Sequence, residues 1–186
     1  MSINTPFILA STSKSRISIL KKPGPNFKTI KPKCNEDFYK EKFKALKYSP
    51  RRISLELSKN KAKSVNIKNK LVIGSDTIIN FKGEIVEKAK NVSEIRRKIK
   101  TLSGKTHTII SSVVAYYNNK LIWNHSCKTR VKLRKLNDQE INKYLKDCGL
   151  TILNSVGCYQ IEKKGPIIIE NIKGDFFNVM GFPLFP

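Results

Sequence analysis

The sequence predicts an α/β protein, a mixed sheet with flanking helices. Three observations point to it. Short β-branched apolar runs alternate with segments of helical periodicity. The helical segments open on Ser or Asn, residues that cap helix N-termini. One strand pair is joined by a tight Asn118-Asn119 turn, so the sheet is not purely parallel.

The elements follow in order. Phe7-Ile8-Leu9-Ala10 is a short apolar strand, and Ser11-Thr12-Ser13 caps a helix carrying Ile17, Ile19 and Leu20. Residues 23–47 are lysine-rich and poorly periodic, which predicts an extended segment and a mobile loop. Ser49-Pro50 starts a helix running to about Val65, with Ile53, Leu57 and Ala62 inward. Leu71-Val72-Ile73-Gly74 is a buried strand, with Ser75-Asp76-Thr77 near its end. Phe81-Lys82-Gly83-Glu84 is a turn. Ser93 caps a helix bearing Ile95, Ile99 and Leu102. Thr108–Tyr117 is a strand, followed by the Asn-Asn turn, Leu121-Ile122-Trp123 and a further strand at Thr129–Leu133. Asn137 and Glu140 have capping-box spacing ahead of Ile141, Tyr144 and Leu145. The span from Val156 to Val179 reads as a hairpin around Gly165-Pro166 and then a loop.

Composition narrows the function. The chain has 186 residues, 39% of them hydrophobic, enough for a real core. No apolar run approaches the roughly 20 residues of a membrane helix, and Met1–Pro6 lacks the pattern of a signal peptide. A cytoplasmic protein without membrane contact is expected. Four cysteines lack CxxC spacing and only two histidines are present, which argues against zinc. Lys and Arg number 37 against 14 Asp and Glu, a net charge of +23. Such a field attracts polyanions, nucleotides and nucleic acid included. The basic residues are nevertheless dispersed, as a Lys-, Asn- and Ile-rich composition also produces. Aromatics are not interleaved with them as a stacking platform requires, so nucleic acid is possible but not favoured.

Three segments suit phosphate chemistry. Ser11 to Arg16 lies between a strand and a helix, where backbone N–H groups, hydroxyls and cations can cradle an anion. Asp76 lies at the end of a strand, where an acid can hold a metal or orient water. Lys88 can neutralise charge on a phosphate. Each has a plain structural reading: a capped helix, a turn-capping Asp, a solvated lysine. Gly104-Lys105-Thr106 mimics the end of a P-loop, but Ile99 stands where that motif needs glycine. His107 and His125 are isolated; His107 has at most a shaping role.

Taken in series, these pieces resemble the Maf (septum formation) family. Leu9-Ala10-Ser11-Thr12-Ser13-Lys14-Ser15-Arg16 is similar to its opening motif, Asn35-Glu36 to the end of its acidic segment, and Asn60-Lys61-Ala62 to its helix motif. Gly74-Ser75-Asp76-Thr77 with Glu87-Lys88, then Leu102-Ser103-Gly104-Lys105-Thr106-His107, follow in order. Gly157-Cys158-Tyr159-Gln160-Ile161-Glu162 and Gly174-Asp175-Phe176-Phe177-Asn178-Val179-Met180-Gly181-Phe182-Pro183-Leu184 resemble its two C-terminal signatures, in wording closest to the alphaproteobacterial branch.

The resemblance implies a single domain over residues 1–186, with a twisted sheet, two lobes around a cleft, and usually a homodimer. It implies hydrolysis of nucleoside triphosphates to monophosphate and pyrophosphate, assisted by Mg²⁺ or Mn²⁺. Asp76 falls on the catalytic acid. Ser11, Arg16, Lys61 and Lys88 fall on phosphate-binding positions, Asp76 and Glu36 on metal positions, and Thr77 and Glu162 on base-selection positions. Lys14, Ser15 and Ala89 depart from the family pattern. Glu162 stands where the pyrimidine-selective branch has Gln; an ionised carboxylate only accepts hydrogen bonds, so a preference other than dTTP and UTP is expected. The alternative is a basic nucleic-acid-binding protein, or a nucleotide-sensing regulator of cell division, on the same scaffold.

Overall fold

The computed structural model describes residues 6–22, 24–65, 67–155 and 157–185. Met1–Thr5, most of the stretch read for a signal peptide, lie outside the described residues. So does Val156, where the C-terminal hairpin was expected to begin. Among the described residues the chain forms seven strands and six α-helices. In order they are β1 (Phe7–Ala10), α1 (Lys14–Lys21), β2 (Phe27–Thr29), α2 (Glu36–Ala45), α3 (Pro50–Lys63), β3 (Leu71–Phe81) and β4 (Glu84–Val86). Then come α4 (Val92–Leu102), β5 (Thr106–Tyr117), β6 (Lys120–Leu133), α5 (Asp138–Cys148), β7 (Ile169–Lys173) and α6 (Phe176–Val179).

The strands join one sheet in the order β2-β1-β3-β5-β6-β7, with β4 added to β3. β1 runs parallel to β2 and β3; the other pairs are antiparallel. This is the mixed α/β sheet that the sequence predicts. β3 is its organising strand. On one side it pairs with β5 from Leu71 to Asn80. On the other, β1 covers Leu71–Gly74 and β4 covers Ile79–Phe81. Among the described residues no strand fills the gap at 75–78.

The core divides about that gap. Ile79, Ile95, Ile99, Leu102, Val131 and Ile141 pack in one cluster. Ile8, Ala10, Val72 and Val114 form a second, and Leu9, Ile19, Leu20 and Val113 a third. Between these apolar regions β3 and β5 bury Ser75, Asp76, Ser111 and Ser112. Burying polar side chains at the centre of a sheet is costly without partners, and their partners define the site described below. No helix among the described residues is long and apolar enough to cross a membrane.

Several local expectations need correction. Residues 36–45, expected within a loop, form α2. Asn35 caps it by accepting from Phe38 N, Glu36 and Asp37 occupy its first turn, and Tyr39, Phe43 and Tyr48 stack in series. Asp76 is not at a strand end: β3 continues for five residues, because Ile78 and Ile79 are core residues paired to β5. The cap of α4 is Asn91 rather than Ser93, accepting from Glu94 N at 2.9 Å. β6 is one strand of 14 residues, not two. Gly165-Pro166 opens a 3-10 turn rather than a hairpin; the strand after it, β7, pairs with distant β6. The capping box of α5 is present, with Asn137 and Glu140 bonded reciprocally at 2.9 Å.

Candidate active site

The site begins with a close approach. A Cβ at Gly74 would lie 2.3 Å from the Ser58 carbonyl oxygen and 2.9 Å from the Ala62 Cβ. Only glycine lets α3 lie this close to β3. Ser54 and Ser58 then fasten the helix: Ser54 Oγ donates to the Asp76 carbonyl at 3.0 Å and Ser58 Oγ to that of Ser112 at 2.9 Å. Lys61, on the last turn of α3 beside Ala62, is thereby carried to the gap in β3.

There Lys61 Nζ lies 2.7 Å from Asp76 Oδ1 and 2.8 Å from Glu36 Oε2. Lys61 and Asp76 are buried, and Glu36, at the start of α2, is half-buried. Burial alone would push the Lys61 pKa down. The Asp76 carboxylate and its hydrogen bond, with Glu36, outweigh burial and the repulsion of Arg16, and hold it above its ordinary value. Burial would likewise raise Glu36, but Lys61, with Lys88 and Arg16 behind it, keeps this carboxyl below its usual value. Asp76 Oδ2 takes no hydrogen bond among the described residues.

Arg16 forms the second layer. It is buried, with Nε 2.8 Å from the Gly181 carbonyl, Nη1 2.9 Å from the Ser75 carbonyl and Nη2 3.0 Å from Thr77 Oγ1. All three acceptors are neutral, so its positive charge is retained as a field on Asp76 and Glu36. Thr77 Oγ1 also meets Ser111 Oγ at 2.9 Å and the Gly181 carbonyl at 3.2 Å. Gly181 has φ +97°, a left-handed turn that turns its carbonyl toward Arg16, Ser75 and Thr77. Asn178 anchors this C-terminal segment: its side chain bonds Ser111 N, Ile109 O and Thr129 Oγ1 at 3.1, 3.2 and 2.9 Å.

The structure thus brings Asp76, Glu36 and Lys61 into direct contact and Arg16 onto Thr77. Lys88 is exposed and near enough to act on Glu36 by its charge. Ser11 is buried at the end of β1, its hydroxyl accepting from Ser13 N at 3.2 Å. Glu162 is exposed and joined to α1, accepting from Ser15 Oγ at 2.6 Å. Sequence reasoning missed Ser54, Ser58 and Ser111; Asn178 and Gly181 fall within the C-terminal signature, but their contacts to Ser111, Arg16 and Thr77 were not foreseen. The signal for the serines was a polar residue inside an apolar run, clearest for Ser111-Ser112 in the middle of β5.

The donor set suits a hard divalent cation. Two carboxylates converge on one point, and Mg²⁺ and Mn²⁺ are characteristically held by one or two carboxylates together with substrate phosphates and water. Among the described residues no group of three or more His, Cys, Asp or Glu side chains converges, so substrate and water oxygens would complete the shell.

His107 is placed elsewhere. It is buried, its Nε2 is 2.5 Å from Tyr159 Oη, and its Nδ1 has no partner among the described residues. Burial lowers its pKa to about 4.

Comparison with known proteins agrees over nearly the whole chain. Residues 6–186 match the family model described as "Maf-like protein". The chain is 35% identical over 181 residues to a nucleoside triphosphate pyrophosphatase of Caulobacter vibrioides, covering 97% of this chain and 91% of that protein. It is 38% identical to a 7-methyl-GTP pyrophosphatase of Bartonella quintana, covering 96% and 90%. A 7-methyl-GTP pyrophosphatase of Rhizobium meliloti is 32% identical, with 96% and 91% covered.

Proposed function

The chain belongs to the Maf-like protein family, and from that premise we propose that it is a nucleoside triphosphate pyrophosphatase. It hydrolyses NTP or dNTP to the monophosphate and pyrophosphate. The observation that carries this reading is the contact of the buried Asp76–Lys61 pair with half-buried Glu36, in a chain 35% identical to a protein of that activity.

The chemistry is phosphoryl transfer, in which positioning and electrostatics do most of the work. Lys61, Lys88, Ser11 and the N-terminal end of α1 bind the triphosphate, with the Arg16 charge behind them. Asp76 and Glu36 would hold a divalent cation, which would supply charge screening and Lewis-acid polarisation of the phosphoryl oxygens. Asp76 Oδ2 orients a water in line with the α-phosphorus. The water oxygen bonds phosphorus, the bond from phosphorus to the α–β bridging oxygen breaks, and pyrophosphate leaves with that oxygen. The water's proton passes to the Asp76 carboxylate and then to solvent. No serine or cysteine nucleophile is needed.

Thr77 and Glu162 select the base. Glu162 offers only acceptors, which suits a base edge that donates hydrogen bonds, as guanine does through N1–H and N2–H₂. A 7-methylated guanine is also cationic, which further favours a carboxylate. Clearing non-canonical nucleotides in the cytoplasm fits such an activity. The protein acts as a single domain and a homodimer. The β6 edge supports the latter: Leu121, Ile122 and Trp123 are exposed there, and Leu121–Cys127 carries no charge in a chain of net charge +23. Pyrophosphate release from a panel of common and methylated NTPs, with Mg²⁺ or Mn²⁺, tests the activity. No turnover on any nucleotide would refute it.

A further inference from the structure

Lys61 stands between the two carboxylates proposed to hold the metal. Its Nζ takes Asp76 Oδ1 at 2.7 Å and Glu36 Oε2 at 2.8 Å, both within charge-assisted hydrogen-bond range. A divalent ion bound by both carboxylates needs the same region of space. Ammonium and metal repel each other at contact distance, and because Lys61 and Asp76 are buried that repulsion is weakly screened on their side. One cation must therefore yield.

The backbone that carries Lys61 cannot move far. The helix beside it is pinned by the Ser58 and Ala62 contacts with Gly74 and by the hydroxyl bonds of Ser54 and Ser58. The lysine side chain is flexible, with four methylenes between Cα and the ammonium. Glu36 is 43% exposed, so an incoming ion has a solvent-facing ligand to meet first.

We propose, resting on the pyrophosphatase reading above, that Lys61 is a resident counter-ion of the Asp76–Glu36 pair which the divalent cation displaces. The freed ammonium then takes a phosphate of the nucleotide as its new partner. Lys61 therefore opposes metal binding in the free protein and favours it once phosphate is present. Metal and nucleotide consequently bind with positive coupling, each raising the affinity for the other equally. The competing description is a permanent clamp, in which Lys61 keeps both carboxylates whatever binds.

Mn²⁺ alone, without nucleotide, separates the two. Binding is followed by electron paramagnetic resonance in the native protein, Lys61→Met and Lys88→Met. Lys88 also acts on Glu36 through its charge, so its removal controls for a general loss of positive field. Displacement predicts that Lys61→Met binds Mn²⁺ at least tenfold tighter than native protein, with a clearly smaller gain in Lys88→Met. Equal gains in the two variants would overturn the proposal. A second measurement uses unaltered protein, in case Lys61→Met folds poorly. Amine-reactive labelling read by mass spectrometry should show Lys61 labelling rise several-fold as Mn²⁺ saturates, and unchanged Lys61 labelling at saturation would also overturn it. Neither readout involves turnover, so failure of hydrolysis is read separately from the nucleotide panel.

Discussion

Lys61 Nζ and Asp76 Oδ1 lie 2.7 Å apart with side chains only 7% and 8% exposed, and Glu36 shares the same ammonium. A buried ion pair is not in itself stabilising, because desolvation offsets most of the attraction. Breaking it from one side is another matter. Lys61→Met leaves a buried carboxylate without its cation, and its unfolding free energy should fall by about 3 kcal/mol. Lys61→Met with Asp76→Leu should recover part of the loss. Urea denaturation of the native, single and double variants checks this; a double variant less stable than the single one would contradict it.

Gly74 is where packing and chemistry meet. Gly74→Ala places a methyl group 2.3 Å from a backbone oxygen of α3, so the helix must shift. Overpacking of this kind costs about 1–3 kcal/mol. Because Lys61 rides on the same helix, turnover should fall too. Thermal unfolding with steady-state kinetics should show both losses; native-like values for both would mean that the close approach is not needed.

His107 gives a pH signature. Its folded pKa of about 4 lies below the ordinary 6.5, so the unfolded chain binds the proton first as pH falls. The folded state is therefore favoured above pH 6.5 and loses stability between 6.5 and 4. Between pH 7 and 5 this group alone should remove about 2 kcal/mol. His107→Gln should lack that portion of the pH dependence in denaturant titrations. Identical slopes in the two proteins would rule out the buried neutral imidazole.

Glu162 is expected to set the base. Its Oε1 is held by Ser15 at 2.6 Å, which leaves Oε2 for a ligand. Glu162→Gln replaces an acceptor by a donor and should move the kcat/KM ratio of methylated GTP over dTTP down by about tenfold or more. An unchanged ratio would remove Glu162 from base selection.

Much of this was legible in the sequence because short motifs imply local backbone. The α5 capping box followed from spacing alone, while Lys61 entered only through the resemblance to the Maf family, which also put Asp76 on the acid position. What escaped was set by tertiary contacts. The helix at 36–45 has little apolar periodicity, and among its described residues only Phe43 is buried, so its order comes from the Asn35 cap and the aromatic stack with Tyr48. The apolar run Leu71-Val72-Ile73-Gly74 stops just before Asp76, so the sequence places that acid near a strand end. Pairing with β5 carries the strand through it. β7 pairs with β6 across some forty residues, a relationship no local pattern announces. The bonds of Arg16 to Gly181 and Thr77 were invisible for the same reason.

The proposed hydrolysis depends most directly on Asp76. The direct test is pyrophosphate release from the nucleotide panel, with Mg²⁺ or Mn²⁺, by the native protein and by Asp76→Asn. Asparagine keeps the shape but loses the charge that holds the cation and orients water. Turnover should fall by about a hundredfold or more with the fold retained by circular dichroism. An Asp76→Asn protein that hydrolyses nucleotides at the native rate would contradict the account.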